Sequence, residues 1–266
     1  MLFPETERVI YENNPLEQVI CQLRFPTVLR IEAETPADFQ ERIRGHFPQY
    51  QEKSEFAAIL PPELVQILSQ DVIQSLKPSQ KVYEFATNEG SLIVRLSSGF
   101  VSLTSGNYER WEQFFVGIQL ALDALREVYS PDPYTRIGLR YRNLIQKDKL
   151  ELEDAEWPEL LGEDLIRDLA TPGLGEAIED IAYRILLTID AGPAKVHIQH
   201  GYARHPETNQ LIGYGIDSDF FVEGETDVDA AIDQLVEFNQ YNRRLFRWCI
   251  SDRLHNAMGP RPVGDY

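Results

Sequence analysis

The sequence contains few of the residues that build disulfide-stapled or metal-rich small proteins. Among 266 residues there are two cysteines, two methionines and five histidines. A chain of this length can bury a core without disulfides or structural metals. Cys21 lies in a predicted strand and Cys249 on the apolar stripe of a predicted helix. We therefore expect two buried, reduced thiols that serve packing.

Long apolar runs and an excess of basic residues are also missing. No stretch approaches the ~20 apolar residues of a membrane span, and the first residues do not form a secretory signal. We therefore expect a cytoplasmic protein with no membrane contact. The formal net charge of -18 argues against a general nucleic-acid binder, because non-specific affinity for phosphate backbones comes mainly from lysine and arginine.

The common catalytic signatures are absent as well. The sequence has no Gly-x-Ser-x-Gly elbow, Walker-type loop, dinucleotide glycine fingerprint, His-Glu-x-x-His pair or Cys-x-x-Cys pair. This lowers the expectation of common hydrolase, kinase and oxidoreductase chemistry without excluding catalysis. We accordingly name no catalytic residue and no cofactor, and we favour a binding function over turnover.

An order of elements that occurs twice is the main positive feature. The alternating pattern of residues 19–25 is echoed by residues 135–141, with Leu-Arg-aromatic in register. Each copy is followed by helical segments, three strands and one long amphipathic helix. Sequence self-similarity is typical of repeated supersecondary units. The sequence thus predicts an α+β fold in which one module (strand, helices, three-stranded antiparallel meander, long helix) is present twice, in residues 1–132 and 133–266. Two long helices are expected to back the sheet.

Local signals place the individual elements. Periodicity, turn residues and caps predict the following order. In the first half we expect a strand over 17–25, an extended piece over 28–33, a helix from 36 to about 47, a helical stretch from about 62, strands over 81–85, 92–96 and 100–104, and a helix capped by Asn107. In the second half we expect a strand over 134–145, an acidic, partly helical insertion over 147–170, strands over 177–189, 195–203 and 211–222, and a helix from about 227 to 258.

Three segments resemble a known but uncharacterised family. They are residues 11–25 (YENNPLEQVICQLRF), residues 136–143 (RIGLRYRN) and Leu245-Phe246 in the last helix. The family is described only as sporadically distributed in bacteria and archaea, with members of about this length. The resemblance implies no activity, cofactor or catalytic residue. Its scattered distribution is similar to that of genes in mobile defence or toxin–antitoxin islands.

Arginines on the opening strands are the first candidate site. Arg24 and Arg140 occupy equivalent positions of the two copies, and alternation places Arg136, Arg140 and Arg142 on one face. Guanidinium groups bind oxyanions in bidentate fashion, so this row could hold a phosphate or carboxylate. A solvent-facing or ion-paired strand face explains the same pattern.

Two charged clusters are candidate partner-binding surfaces. One is acidic and lies in the insertion, and the other is basic and lies on the last helix; solvated faces and the rim of a packed helix are the alternatives. Their residues are Glu153, Asp154 and Glu156, and Arg243, Arg244 and Arg247. Metal binding is not expected, because His197 and His200 point to opposite faces of one strand and Asp217 and Asp219 share a face without a third ligand.

These observations leave three functional hypotheses. The first is a non-enzymatic, protein-binding or regulatory subunit, in keeping with the resemblance to genes of defence or toxin–antitoxin systems. The second is small-anion binding, or an enzymatic domain, in a cleft between the two copies. The third is nucleic-acid binding by a saddle-like sheet, which the net charge disfavours. A homo-oligomer remains open in each case.

Overall fold

The structure is a computed structural model that describes residues 2–54, 81–228 and 230–263. Within these ranges the chain is a mixture of strands and helices. The strands are β1 (Val9–Tyr11), β2 (Leu16–Arg24), β3 (Gln49–Ser54), β4 (Lys81–Ala86), β5 (Leu92–Ser97), β6 (Phe100–Ser105), β7 (Tyr134–Ile145), β8 (Ala182–Thr188), β9 (Lys195–Arg204), β10 (Leu211–Thr226) and β11 (Pro260–Pro262). The α-helices are α1 (Leu29–Ala33), α2 (Ala37–Ile43), α3 (Trp111–Tyr129), α4 (Trp157–Leu160), α5 (Ala230–Cys249) and α6 (Asp252–Ala257).

Nine strands form one antiparallel sheet in the order β3-β4-β5-β6-β2-β7-β10-β9-β8. The opening strands β2 and β7 are neighbours at its centre, with Cys21 opposite Leu139 and Arg24 opposite Arg136. The two halves of the chain therefore share a single sheet. The remaining strands, β1 and β11, form a separate two-stranded ribbon that joins the two ends of the chain.

The two faces of the large sheet differ in what covers them. On one face, alternate residues such as Val19, Leu23 and Leu139 are buried. Helix α3 contacts β6, and α5 contacts β7 and β10. The buried apolar residues of both halves form one continuous core, as expected for a sheet that presents one apolar face to helices. We call the opposite face, whose alternate residues are mainly polar, the open face.

The alternating segments are confirmed as strands. The predicted meander over 81–104 is β4, β5 and β6, and the predicted strand over 134–145 is β7. Cys21 and Cys249 are both free and buried, and burial raises the pKa of each thiol. The helical stretch expected from about residue 62 lies outside the described residues. No helix in the described part of the chain is long and apolar enough to cross a membrane.

Two predictions in the first half were wrong. Residues 28–33 were expected to be extended, but Leu29–Ala33 is a helical turn. The extended Val28 donates its backbone N–H to Ser98 O at 2.8 Å, and the chain turns into α1 directly after it. Asn107 does not cap α3, which begins at Trp111 after an extended Arg110. The preceding Tyr108 is instead packed edge-on against the Tyr141 ring.

The last helix is interrupted, contrary to the prediction of one helix to about residue 258. Helix α5 ends at Cys249, and Ser251 caps α6 by accepting a hydrogen bond from Leu254 N at 3.2 Å. Between the two helices, Ile250 forms a β-bridge with Leu161. The chain that precedes Leu161 also pairs here, since Ser251 N donates to Leu160 O at 3.0 Å. Backbone pairing with residues 160 and 161 therefore interrupts the helix at Ile250.

The acidic insertion is anchored by apolar side chains. It contains α4 and two short 3-10 turns, Asp148–Leu150 and Glu163–Leu165. Its buried residues belong to the main core: Leu152, Ala155, Trp157, Leu160, Leu161, Leu165, Ile166 and Leu169. The next strand, β8, begins at Ala182, five residues later than predicted.

Candidate functional site

The four predicted ligand arginines lie together on the open face, and the two aspartates of β10 face three of them. Arg140 makes a bidentate pair with Asp217, with Nε–Oδ1 2.8 Å and Nη2–Oδ2 2.5 Å, and this pair raises the pKa of Arg140. Arg136 Nη2 donates to Asp219 Oδ2 at 2.7 Å. Arg142 Nε lies 3.8 Å from Asp217 Oδ2. The guanidinium groups are therefore already engaged by carboxylates of the neighbouring strand.

Arg24 is the exception among the four. It is exposed, and its Nε donates to Gln22 Oε1 of the same strand at 3.0 Å. It stands beside Arg136 across the β2–β7 pair. The structure thus brings the predicted residues together, in the ion-paired arrangement that the sequence left as the alternative.

A second charge cluster occupies the open face of the first half and was not found from the sequence. Glu84, on β4, is buried and accepts hydrogen bonds from Arg95 Nε on β5 and Lys53 Nζ on β3, both at 2.6 Å. Arg95 also donates to Thr104 Oγ1 at 3.2 Å. Cross-strand pairs of opposite charge on one face stabilise a sheet, and this cluster has that form.

The predicted partner-binding residues occupy two different environments. Glu153, Asp154 and Glu156 are exposed, and they alternate with buried anchors of the insertion. The arginines of α5 are instead half-buried against the N-terminal segment. They are Arg243, Arg244 and Arg247.

A partly open cavity of about 110 Å³ lies on the side of the sheet opposite the open face, between the two halves of the chain. Strand β7 supplies Tyr141 and Asn143, both nearly inaccessible to solvent. Residues 108–111, which lead into α3, form one wall, and residues 6–11 at the N-terminus form another. Ribbon pairing of β1 with β11 holds that N-terminal wall in place, with Val263 N donating to Arg8 O at 3.0 Å.

Helix α5 turns a polar stripe towards the cavity. Side chains three, four, seven and eight residues apart lie on one helix face. That face of α5 carries five of the cavity-lining residues, Asn239, Asn242, Arg243, Phe246 and Arg247. Arg243 and Arg247, which we predicted to belong to a partner-binding surface, therefore line this cavity.

Hydrogen bonds fix the orientation of the amides and phenols around the cavity. Tyr141 donates its hydroxyl to Asn239 Oδ1 at 2.9 Å, and Ser218 donates to Asn242 Oδ1 at 2.8 Å. In both amides the oxygen is thus occupied by the sheet. Asn14 donates Nδ2 to Tyr108 O at 3.0 Å and so ties the 108–111 wall to the chain that precedes β2.

The cavity combines positively charged arginines with neutral phenol side chains. Burial raises the pKa of Tyr11 to about 12, opposed in part by the nearby Arg247, and burial also raises the pKa of Tyr108 and of Tyr141. All three phenols are therefore protonated at neutral pH, and Tyr141 already donates its hydroxyl hydrogen to Asn239. Burial and the Arg247 charge lower the pKa of His255, whose Nδ1 lies 2.8 Å from the Tyr11 hydroxyl.

Charged residues of the cavity are unevenly placed. Four arginines line it (Arg8, Arg110, Arg243 and Arg247) against two glutamates, Glu7 and Glu109. The glutamates are exposed at the rim, whereas three of the arginines are half-buried. Arg8 is ion-paired with Glu112 of the first turn of α3. In a chain of formal net charge -18, this excess of arginine around one cavity is a local reversal of sign.

The histidine prediction is confirmed in its geometry. His197 lies opposite Asp219 on the open face, whereas the buried His200 lies on the core side and its Nδ1 is 2.8 Å from the Tyr214 hydroxyl. No group of three or more metal-ligating side chains occurs among residues 2–54, 81–228 and 230–263.

No protein-family model matches the chain, and no curated protein is detectably similar to it. The resemblance to the sporadically distributed family stays a prediction from its three motifs. All three motifs contribute to the cavity, through Tyr11 and Asn14, Tyr141 and Asn143, and Phe246.

Proposed function

We propose that the protein binds a small anion in the cavity between the N-terminal strand, α3, α5 and β7. The observation that carries this proposal is the concentration of arginines, protonated phenols and oriented amides around one partly open cavity of about 110 Å³. Arginine and neutral N–H or O–H donors together are the groups that bind carboxylate and phosphate oxygens. This volume is well above the ~10–15 Å³ that a single water needs on the same measure, so a phosphate or a small carboxylate can enter.

The site differs from the one expected on the opening strands. Arg24 and Arg140 lie on the open face, whereas Tyr141 and Asn143 point to the other side of β7. Because carboxylates of β10 already engage most of the open-face arginines, an anion there would have to displace Asp217 or Asp219. Arginines of the cavity are paired as well, Arg8 with Glu112 and Arg247 with Asp252. The cavity adds the Asn239 and Asn242 amides beside them, and for that reason we place the anion there.

Thermal unfolding with inorganic phosphate, acetate or pyruvate, at ionic strength matched with sodium chloride, tests the proposal. A ligand at 100 times its Kd stabilises the folded state by about 2.7 kcal/mol. We expect at least one anion to raise Tm, and the Arg243→Gln and Asn239→Ala variants to lose that increase. The matched control is Arg42→Gln, which removes an exposed arginine paired with Glu127. Equal stabilisation by sodium chloride, or an unchanged response of the folded variants, would refute the site.

The hypothesis of a protein partner rests on a different surface. The carboxylates of Glu153, Asp154 and Glu156 are exposed, and the buried Leu152, Ala155 and Trp157 between and beside them hold this part of the chain against the core. A fixed acidic surface suits a regulatory role with a basic partner, including one in a defence or toxin–antitoxin system. Affinity capture from the native host, with the wild type and a triple Glu/Asp→Lys variant, tests it. A stoichiometric partner that is retained by the variant would exclude this surface.

The duplication also remains a proposal. Its support is the arrangement of the sheet, in which β6 and β10 flank the central β2–β7 pair and the outer strands follow in mirrored order. Contacts of α3 with β6, and of α5 with β7 and β10, suggest that two long helices back the sheet. Superposition of β2, β4–β6 and α3 on β7–β10 and α5 tests the idea. Halves that fail to superpose as single units would contradict it.

A further inference from the structure

Strand β8 ends the described sheet on the side of the second half, and its composition is unusual for an edge. Among the described strands it pairs with β9 alone. An edge strand presents unpaired backbone N–H and C=O groups, and soluble proteins normally protect such edges with charges, prolines or bulges. The sequence of β8, AYRILLT, has one charged residue, Arg184, and no proline.

The apolar side chains of β8 are exposed on both faces of the sheet. Ile185 is 41% exposed and Leu186 is 59% exposed. Their partners on β9 show the faces, because Ile185 stands beside the buried Ile198 and Leu186 beside the half-buried His197. An additional strand against this edge would cover both leucine and isoleucine at once, whereas a helix on one face would cover only one of them.

The strand at the other edge of the same sheet is protected by charged residues. Strand β3, QYQEKS, carries Glu52 and Lys53, and Lys53 is ion-paired with Glu84. The two edge strands of the sheet therefore differ in how many charged residues they carry. This contrast indicates that the β8 edge is covered in the functional state of the protein.

We propose that a second copy of this chain covers the edge, through antiparallel pairing of β8 with β8 about a two-fold axis. A chain of formal net charge -18 repels its own copies least where acidic residues are missing, and β8 contains none, although Glu179 and Asp180 precede it. Two-fold pairing is self-complementary and needs no other sequence. With Leu186 on the axis, Leu186 faces its own copy, Ile185 faces Leu187 and Arg184 faces Thr188, so no like charges oppose each other. The two nine-stranded sheets then become one continuous sheet.

Sedimentation equilibrium of the full chain over micromolar to submillimolar concentration tests this interface. We expect the wild type to dimerise reversibly and Leu186→Lys to be monomeric, since the variant places two ammonium groups on the axis. Leu29→Lys is the matched control, because Leu29 is 71% exposed on α1 and should leave the dimer intact. A monomeric wild type, or a Leu186→Lys protein that dimerises as the wild type does, overturns the proposal.

A mixing experiment tests the register. Leu186→Lys and Leu186→Glu should each be monomeric alone, and an equimolar mixture should form heterodimers, because opposite charges then meet on the axis. If instead Leu186→Glu alone dimerises more tightly than the wild type, Leu186 faces Arg184 of the other copy and the proposed register is wrong. Failure of these tests does not bear on the anion cavity, whose residues lie on other elements.

Discussion

Replacing Glu84 by glutamine removes the carboxylate that holds two cations on the open face. The Glu84 side chain is 8% exposed, and its partners Arg95 and Lys53 are 28% and 44% exposed. Breaking a fully buried pair costs about 3–5 kcal/mol, and an exposed pair contributes about 0–1 kcal/mol. Because both cations keep access to water, we expect Glu84→Gln to lower the free energy of unfolding by about 2 kcal/mol, between these limits.

The effect of Glu84→Gln should depend on pH with a defined sign. Burial raises the pKa of Glu84, but the hydrogen bonds from Lys53 and Arg95 outweigh burial and bring the pKa below its usual value. The contribution of the carboxylate is therefore present above the unfolded-state pKa and is lost as the pH falls through the folded-state pKa. The difference between wild type and variant should be full at neutral pH and shrink in acid below about pH 4.

Urea unfolding of the two proteins at neutral and acidic pH measures this difference. Glu127→Gln is the control, because Glu127 pairs with Arg42 while 64% exposed. We expect that control to stay within about 0.5 kcal/mol of the wild type at every pH. The reasoning fails if Glu84→Gln is as stable as the wild type at neutral pH, or if its deficit is constant as the pH is lowered.

Two further predictions concern the second half of the sheet. Burial lowers the pKa of His200 to about 4, so the folded state resists a proton that the unfolded state accepts near pH 6.5. Tm should consequently fall as the pH is lowered from about 6.5 towards 4, and His200→Gln should reduce that slope. At Gly201, an added Cβ would stand 2.0 Å from Ile181 O, so Gly201→Ala should destabilise by at least about 2 kcal/mol in urea unfolding. Gly106→Ala, with no atom within 4 Å of the added Cβ, should not.

Alternation was enough to predict strands such as β2 and β7, because their core-side residues alternate with residues of the open face. In β7 the buried Ile137, Leu139 and Tyr141 are separated by Gly138 and Arg140, and this pattern is visible in the sequence. The turn residues between β4, β5 and β6 placed the meander for the same local reason. Local patterns could not show that the helix from residue 230 breaks at Ile250, since its bridge partner Leu161 is distant in the sequence.

The sequence predicted that the arginines of β7 share a face, but it did not predict which residues of other strands lie beside them. Alternation within β7 places Arg136 and Arg140 together without reference to any other strand. Their pairing with Asp219 and Asp217 depends on the register between β7 and β10, which lie 65 residues or more apart in the described chain. The sequence therefore left the choice between an anion cradle and an ion-paired face open.

The cavity could not be predicted as a unit, because it needs four separate segments. One local signal was available. The inward stripe of α5 carries Asn239, Asn242 and Arg243 among buried residues such as Phe238 and Leu245. Polar groups on a stripe that faces the core require partners there, since burying them unsatisfied is costly. Such residues on an otherwise apolar helix face indicate a polar site beneath the helix. From the sequence we considered only a partner-binding surface or the rim of a packed helix for its arginines.

The two proposals use opposite parts of the molecule and can be separated experimentally. The cavity lies against β7 near the centre of the sheet, and β10 and β9 stand between β7 and the β8 edge. Pairing at β8 therefore leaves the walls of the cavity unchanged. Leu186→Lys should lose the dimer and keep the stabilisation by anions, while Arg243→Gln should do the reverse. A variant that loses both dimerisation and stabilisation by anions would show that the β8 edge and the cavity are coupled through the sheet. The two proposals would then not describe independent sites.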